Sequence, residues 1–238
     1  MEYAFDLHMH SCLSPCGSDD MTPATLAGLC ALAGLEVIAL TDHNTVGNCP
    51  AFLKAAEHYG LLALPGMELC TREEVHVVCL FPGMEEGLAF QKKVFAAMEG
   101  LPPNNEKVFG RQLILDEEDN LIGEERRMLA GCADIGIYQA AALAADCGGL
   151  AYPAHIDRDS FSVIANLGLW DGDMGFDLAE VSRRCPEDFF QRPDLQGLRH
   201  IQGCDAHYME QLQDAHQYMS LPQRTPEAVL AWLAGRMA

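Results

Sequence analysis

The chain has 238 residues, and its 15 lysines and arginines are set against 35 aspartates and glutamates, which gives a formal net charge of −20. This length fits one α/β barrel or two smaller domains. The acidic balance argues against a protein whose main task is to grip a phosphate backbone, because such proteins depend on clustered lysine and arginine.

The remaining composition is that of a globular intracellular protein. Hydrophobic residues make up 49% of the chain and charged residues 21%, so extensive disorder is not expected. No apolar run approaches the roughly 18 residues of a membrane span, and Met1 leads into a strand-like stretch in place of a basic leader. The ten cysteines form no Cys-x-x-Cys pair and lie mostly in apolar segments, as free thiols do. We expect a cytoplasmic protein without a membrane partner, and the sequence indicates no particular oligomeric state.

Short apolar runs alternate with helix-like stretches along the first third of the chain. Thr22 and Pro23 supply an N-cap and a first helical residue, and Pro50 opens a second helix. Strands are predicted over residues 3–7, 36–40, 61–64 and 75–81. This alternation favours a parallel sheet or barrel of the α/β class.

The middle of the chain departs from this rhythm. Residues 85–98 resemble a helix, and two short apolar runs around the acidic turn 116–120 predict a β-hairpin. We interpret residues 83 to about 133 as an insertion on the rim of a single domain that spans residues 1–238. Regular alternation then returns, with a helix at 137–147, strands near 150–152, 176–181 and 199–202, and a last helix at 228–234.

Histidines and carboxylates stand at the ends of these predicted strands. His76 begins a strand, whereas the others follow one: His8, His10, His43, Glu68, His155, Asp205 and His207. In a βα barrel, the loops at the carboxyl ends of the strands form the active site, so these side chains would converge. Imidazole and carboxylate suit Zn, Mn and Fe, and the number of ligands predicts two or three ions, with Glu68 as a bridge between two of them. His58, His200 and His216 are interpreted as structural.

The ordered motifs Asp-Leu-His-Met-His-Ser, Thr-Asp-His-Asn, Pro-Gly-Met-Glu, His76, Pro-Ala-His and Gly-Cys-Asp-Ala-His resemble those of the PHP (polymerase and histidinol phosphatase) family. The likeness is greatest to its stand-alone metal-dependent phosphoesterases. It implies a distorted (β/α)7 barrel around a trinuclear metal centre. By this resemblance, the first ion would take His8, His10, Glu68 and Asp205, the second Glu68, His76 and His155, and the third His43 and His207.

A last ligand of the third ion would come from the loop after His10, where this chain departs from the family pattern. Cys16 aligns best with the histidine that related sequences carry, and thiolate is a good ligand for zinc. Asp19 or Asp20 could serve instead and would favour a harder ion such as manganese. A plain loop cysteine beside a two-metal site is the alternative.

Hydrolysis of a phosphate ester needs a nucleophile and groups that neutralise phosphoryl charge. A metal-activated water would attack, and Arg158 is the first candidate to clamp the phosphate, followed by Arg183 and Arg184. Each of these arginines could instead form an ordinary surface salt bridge. Asp6 and Asp42 are expected to orient histidine ligands, as carboxylates beside metal sites commonly do.

We therefore expect a metal-dependent phosphoesterase that acts on a small phosphorylated metabolite: a phosphomonoester, a nucleotide bisphosphate or a cyclic phosphodiester. A nuclease on polymeric nucleic acid is the first alternative, which is disfavoured because the chain has only four lysines and shows no basic stripe or aromatic platform. A metal-binding regulatory module without catalysis is the second, and the complete set of ligands argues against it.

Overall fold

The protein is described by a computed structural model over residues 1–212 and 214–236. The strands within these residues are β1 (Glu2–Asp6), β2 (Val37–Leu40), β3 (Leu62–Cys70), β4 (His76–Leu80), β5 (Leu113–Leu115), β6 (Leu121–Glu124), β7 (Leu150–Pro153), β8 (Leu178–Ser182), β9 (Arg199–Gly203) and β10 (Tyr218–Ser220). The helices are α1 (Pro23–Leu32), α2 (Cys49–His58), α3 (Met84–Ala97), α4 (Glu106–Phe109), α5 (Ile137–Ala145), α6 (Val163–Leu167) and α7 (Pro226–Leu233). Most lie within a few residues of a predicted element, whereas α4, α6 and β10 were not predicted.

Six strands form the main sheet in the order β10-β1-β2-β3-β4-β7. Strands β1, β2 and β3 are parallel, as the alternation of strands and helices predicts. Strand β10 is antiparallel to β1. Strand β4 is antiparallel to both β3 and β7, so β7 runs in the same direction as β1 to β3. The carboxyl ends of β1, β2, β3 and β7 therefore share one edge with the start of β4.

The junction between β3 and β4 differs from the sequence prediction. The strand predicted over residues 61–64 continues to Cys70, so Glu68 lies within β3 and not in a loop after it. The Thr71 N–H donates to the Val75 carbonyl at 2.9 Å, which closes a hairpin in place of a crossover helix. Five residues are too few for a crossover between parallel strands, so β4 must run back along β3. This reversal brings His76 to the same edge as the strand ends.

Strands β8 and β9 form a separate parallel pair that completes the wall opposite the main sheet. Single contacts join this pair to the main sheet: the Ile156 N–H donates to the Glu180 carbonyl at 2.9 Å, and Met9 forms an isolated bridge with Ala206. The fold is thus a mixed α/β fold with a curled, six-stranded half-barrel. It is not one continuous (β/α)7 sheet, because hydrogen bonding between β7 and β8 and between β1 and β9 is limited to such contacts.

Two apolar layers stabilise this arrangement. The larger one packs the outer face of the sheet, with residues such as Ile38 and Cys79, against α1, α2, α3 and α5. The smaller one joins Phe5 and Val78 of the main sheet to Ile201 of β9, and α7 packs against it. Burial of these side chains is the main favourable contribution to folding. Among the helices of the described residues, none has both the length and the apolar content that crossing a bilayer requires.

The rim segment is attached to the barrel by the predicted acidic hairpin. Asp119, in the turn between β5 and β6, accepts hydrogen bonds from the Ala24 N–H at 3.0 Å and from the Thr22 hydroxyl. Thr22 is the N-cap of α1, as predicted, and Pro23 is its first residue. Asp119 therefore places a negative charge at the N-terminus of α1, where the helix dipole favours it.

We predict that Asp119→Asn lowers the free energy of unfolding by about 1 kcal/mol, because it removes the charge and one of two acceptors. Asparagine tolerates the left-handed conformation of this residue, whose φ is 63°, so backbone strain does not contribute. Chemical denaturation measures the change. Glu118→Gln, an equal change of charge on the neighbouring exposed residue, should leave stability within about 0.5 kcal/mol, and an equal loss in both variants would contradict the assignment.

Candidate metal centre

The eight predicted ligands all lie at the edge where the strands end. His8 and His10 follow β1, His43 follows β2, Glu68 lies near the end of β3, His76 begins β4, His155 follows β7, and Asp205 and His207 follow β9. His76 and His207 are partly exposed, and the other six are buried. An isolated bridge between His43 and Glu68 and another between Met9 and Ala206 hold the loops together.

The carboxylate of Glu68 is at the centre of this cluster. Five imidazole nitrogens lie within 3.4 Å of one of its oxygens: His8 Nε2 (3.2 Å), His10 Nε2 (3.4 Å), His43 Nδ1 (2.9 Å), His76 Nδ1 (3.0 Å) and His155 Nε2 (3.3 Å). Its Oε1 faces His8, His76 and His155, whereas its Oε2 faces His10 and His43. A carboxylate approached on both oxygens has the geometry of a bridge between two cations.

Three groups of donor atoms can be distinguished, and the atoms within each group lie within 4.8 Å of one another. They are His8, His10, Glu68 and Asp205; His43, Glu68 and His76; and His10, His43 and His207. The first group is the set that the sequence assigned to one ion. In the second, His43 stands where His155 was expected, although His155 Nε2 also reaches Glu68. Buried nitrogen and oxygen donors in this number fit divalent transition-metal ions.

A buried carboxylate that the sequence analysis did not single out supports His8. Glu180 in β8 accepts a hydrogen bond from His8 Nδ1 at 2.7 Å, which leaves His8 Nε2 directed toward Glu68 and Asp205. Gly203 in β9 makes room for it, since a Cβ there would lie 2.3 Å from the Glu180 carboxyl carbon. A lone glutamate in the apolar run of residues 178–181 is the only local sequence signal for it, and the same pattern is typical of a solvent-facing strand residue.

Asp42 supports His10 through a serine. His10 Nδ1 lies 3.0 Å from Ser14 Oγ, and the Ser14 hydroxyl donates to Asp42 at 2.7 Å. Asp42 also accepts from the N–H and the hydroxyl of Ser11. Asp6 acts differently, because it accepts from the backbone N–H of His8 at 3.2 Å and does not contact the ring. Asp42 thus fixes the tautomer of His10, whereas Asp6 fixes the backbone conformation between β1 and His8.

Within the cluster, the charges of the histidines and of the carboxylates stabilise one another. Burial lowers the pKa of His10, but hydrogen bonds and charges from Asp205 and Glu68 outweigh it and raise that pKa to about 9. Burial raises the pKa of Asp205, yet the charge of His8 and the hydrogen bond from His10 hold it well below the ordinary value. Burial lowers the pKa of His207 to about 3, so this imidazole stays neutral and is ready to act as a ligand. Protons on histidine therefore occupy the place that cations would take.

The loop after His10 brings Cys16 to the cluster. Its Sγ lies 3.2 Å from His43 Nε2, and it lines a cavity of 260 Å³ together with His207. The Ser18 N–H donates to the His207 carbonyl at 2.9 Å, which fixes the loop against this ligand. Cys16, Asp19 and Asp20 are all exposed, and within the described residues none of them belongs to the three donor groups, so Cys16 is distinguished only by its contact with His43.

The three predicted arginines line a second cavity of 780 Å³ beside the first. Arg158 forms an ion pair with Asp205 and borders both cavities. Arg183 contacts His216 Nδ1 at 2.6 Å and Asp6 at 3.7 Å. The loops after β7 and β8 therefore bring the three arginines to one cavity, and one of them, Arg158, contacts a donor group.

The other histidines lie outside the donor groups. His58 is exposed on α2 and packs edge-on against Tyr59, with ring centroids 5.2 Å apart. His200 stacks on Phe190 at 4.1 Å, and His216 contacts Arg183. These contacts agree with the structural roles that the sequence analysis gave to all three.

Backbone strain is concentrated at this edge. His155, Asp205 and Asn44 have φ values of 31°, 47° and 53°, in the left-handed region that non-glycine residues rarely adopt. The Asn44 side chain donates to the carbonyls of Leu129 and Gly131, both at 2.8 Å, which ties the rim segment to the cluster. Such strain persists where the surroundings hold it in place, and it is frequent at functional sites.

We predict that Glu180→Gln weakens metal binding by roughly 10- to 100-fold, because the amide no longer stabilises the His8 tautomer as a carboxylate does. Competition with a chromophoric chelator measures the affinity. Glu187→Gln, on the exposed loop after β8, removes the same charge without contacting the cluster and should bind metal as the unmodified chain does. Equal affinity in all three proteins would show that Glu180 does not support a ligand.

Comparison with solved structures finds the same fold in proteins of low sequence identity. The lesion-specific endonuclease PfuEndoQ from Pyrococcus furiosus superposes with a TM-score of 0.73 at 19% identity, over 100% of this chain and 57% of that chain. A complex of Endonuclease Q with a 27-mer duplex substrate, which has an abasic lesion at the active site, gives 0.72 at 18% identity, over 100% and 58%. A protein assigned as a metal-dependent phosphoesterase, from Bifidobacterium adolescentis, gives 0.59 at 19% identity, over 97% and 95%.

These comparisons correct the expected substrate and partner. A small phosphorylated metabolite, with nucleic acid disfavoured, was expected, but the two structures of highest similarity among these three are endonucleases, and one of them holds duplex DNA. The expectation relied on net charge and lysine count, which average over the whole surface and carry no information about the field at the site. This chain spans under three fifths of either endonuclease chain.

A search of curated proteins found no match. The family model for the PHP domain matches residues 6–123. This range contains five of the eight predicted ligands at the sheet edge, His8, His10, His43, Glu68 and His76, together with the loop that carries Cys16. The family assigned from the sequence motifs is therefore confirmed over residues 6–123, which match the PHP domain of metal-dependent hydrolases.

Proposed function

We propose that this chain is a metal-dependent nuclease that hydrolyses phosphodiester bonds of nucleic acid. The observation that carries the proposal is the shape of the site, in which the 260 Å³ cavity over the donor groups adjoins the 780 Å³ cavity that contains the arginines. Arg158, Ser160 and Asp205 line both. A phosphomonoester needs a single closed pocket, whereas a groove that continues past the reacting centre suits a strand with further phosphates.

The charges along this groove are compatible with such a strand despite the acidic composition. Arg158, Arg183 and Arg184 line this groove together with four carboxylates, and Arg158 also lines the cavity over the donor groups. The carboxylate of Asp157 in the same groove accepts hydrogen bonds from the N–H and hydroxyl of Ser182, at 2.7 and 2.6 Å. Guanidinium groups match phosphate oxygens in charge and shape, and divalent ions dominate a local field that net charge does not describe.

The metal assignments that follow belong to this proposal. One ion takes His8, His10, Glu68 and Asp205, and a second takes Glu68 with His43, His76 and His155. A third takes His207 and Cys16, with His43 shared between the second and third. Zinc, manganese and iron all suit the first two sites, whereas the thiolate of Cys16 favours zinc at the third. When bound, such ions supply a water nucleophile at neutral pH and neutralise charge on phosphoryl oxygens.

The side chains of this protein orient the ligands and hold the phosphate. Glu180 and Asp42, through Ser14, keep the Nε2 atoms of His8 and His10 directed into the cluster. Arg158 is paired with Asp205 and is 40% exposed, so it can turn toward a phosphoryl oxygen without leaving the site. Arg184, which lines the groove, would hold the next phosphate along it.

We further propose that β1, β2, β3, β4, β7, β8 and β9 represent the seven strands of a distorted barrel. Residues 83 to about 133 then form an insertion within a single domain of residues 1–238. Asn44 and Asp119 attach this insertion to the barrel at two points. Ala130 also lines the smaller cavity, so the insertion supplies part of the wall of the site.

The proposal is tested with end-labelled single-stranded and duplex oligonucleotides, including a duplex with one abasic lesion, incubated with Mn²⁺, with Zn²⁺ or with a chelator. We expect metal-dependent internal cleavage that is lost in His8→Ala. Arg184→Gln should lower kcat/KM on oligonucleotides by about tenfold through the loss of one phosphate contact. Arg224→Gln, which removes an arginine that lies over Tyr3 at the opposite edge of the sheet, serves as the matched control.

A panel of sugar phosphates and nucleotide monophosphates is assayed in parallel for release of inorganic phosphate. Release from these monoesters without cleavage of any oligonucleotide would contradict the proposal. Equal effects of Arg184→Gln and Arg224→Gln on oligonucleotide cleavage would exclude the groove as the path of the strand.

A further inference from the structure

An aromatic side chain forms part of the wall of the smaller cavity, and the hydrolytic function proposed above gives it no task. Phe161 follows β7 by eight residues and lines this cavity together with His43, His76 and His155. Its side chain remains 42% exposed. Large apolar side chains exposed within a cleft are frequent at ligand-binding sites.

The position of the Phe161 ring is fixed by its neighbours. One face stacks on the His76 ring, with centroids 4.6 Å apart and planes 22° from parallel. Its carbonyl accepts a hydrogen bond from the His76 N–H at 2.9 Å. Its backbone has a φ of 52°, an outlier for a bulky residue. The chain therefore accepts backbone strain to hold this ring at the mouth of the cavity.

The same turn carries the arginine assigned to the phosphate. The Ser162 hydroxyl donates to the Arg158 carbonyl at 2.7 Å and also caps α6 by accepting from the Ala165 N–H. Residues 158–162 are thus a closed turn that presents a cation and an aromatic ring to one cavity. Between them, Ser160 also lines this cavity, and Ala130 approaches it from the insertion. These two small side chains leave room for a flat group beside the ring.

From these contacts we propose that Phe161 is the stacking platform for a nucleobase of the strand whose phosphate lies at the metal centre. The proposal rests on the nuclease function proposed above and adds a contact to the base. One face of the ring is covered by His76, and the other is the face available to the base. Stacking on an aromatic side chain tolerates any base, because every base has a π-face, and it typically changes affinity by about tenfold per base.

A purely structural role for Phe161 would not require an exposed aromatic ring. If Phe161 served only to pack against His76, a leucine of similar bulk would fill the same contact, and an exposed flat ring would not be required. The two roles therefore differ in what they demand of residue 161. A platform requires an aromatic ring, whereas a packing residue requires only apolar volume.

The test uses oligonucleotides with 2-aminopurine at successive positions around the mapped cleavage site, and matched oligonucleotides with a reduced abasic residue there. In the unmodified chain we expect 2-aminopurine fluorescence to be quenched on binding at one position. The base-containing strand should bind on the order of tenfold more tightly than the abasic one. Phe161→Leu should remove both the quenching and this preference, whereas Phe161→Trp should retain them.

Two controls separate the proposal from simpler explanations. Tyr59→Leu removes an exposed aromatic ring at the end of α2, outside the cavity, and should leave quenching unchanged. Metal content is measured in every variant, because a displaced His76 would lower it.

Equal loss of binding to base-containing and abasic strands in Phe161→Leu would overturn the platform and leave Phe161 a packing role. The conclusion that the chain is a nuclease would still stand. Quenching that persists in Phe161→Leu would overturn it as well. If the unmodified chain neither bound nor cleaved any oligonucleotide, the nuclease function itself would fail, and this inference with it.

Discussion

The structure of the site depends on a single buried carboxylate. Glu68 is almost completely shielded from solvent and is surrounded by five imidazoles. A buried anion is costly unless cations and hydrogen bonds compensate it, and here every neighbouring strand contributes part of that compensation. Burial raises the pKa of Glu68, but the charges of His76, His8 and His43 outweigh it and hold the pKa well below its usual range. The loops that end β1, β2 and β7 therefore form one cluster around Glu68, in which protons on the imidazoles stand where bound cations would.

The order and direction of the strands bring the residues of this cluster together. Because β3 turns directly into β4, Glu68 and His76 come to one edge within nine residues of sequence, and β4 then runs back along β3, away from the site. The β8–β9 pair then closes the other side, bringing Glu180 against His8 and Asp205 against His10. The groove with the three arginines results from the same closure, since it lies between the loops that follow β7, β8 and β9.

Much of this was predictable because ligand chemistry leaves a local signal in the sequence. His8 and His10, His43 beside Asp42, and the pair Asp205 and His207 all follow apolar runs, so strand ends and ligands were identified together. The reversal of β4 was not predictable, since an apolar run does not reveal the direction of its strand. Glu180 was missed because a single carboxylate inside a strand resembles a solvent-facing residue until its partner is known. The substrate was predicted wrongly because net charge does not report where the arginines lie.

The central claim is that the Glu68 carboxylate bridges two divalent cations. Anomalous X-ray diffraction from crystals of the chain grown with Mn²⁺ or Zn²⁺ tests it most directly. The account predicts at least two anomalous peaks on opposite sides of that carboxylate, one contacting His8, His10 and Asp205 and the other contacting His43 and His76, with a third zinc peak between Cys16 and His207. A single ion, or ions that do not contact Glu68 while its hydrogen bonds to the imidazoles persist, would contradict it.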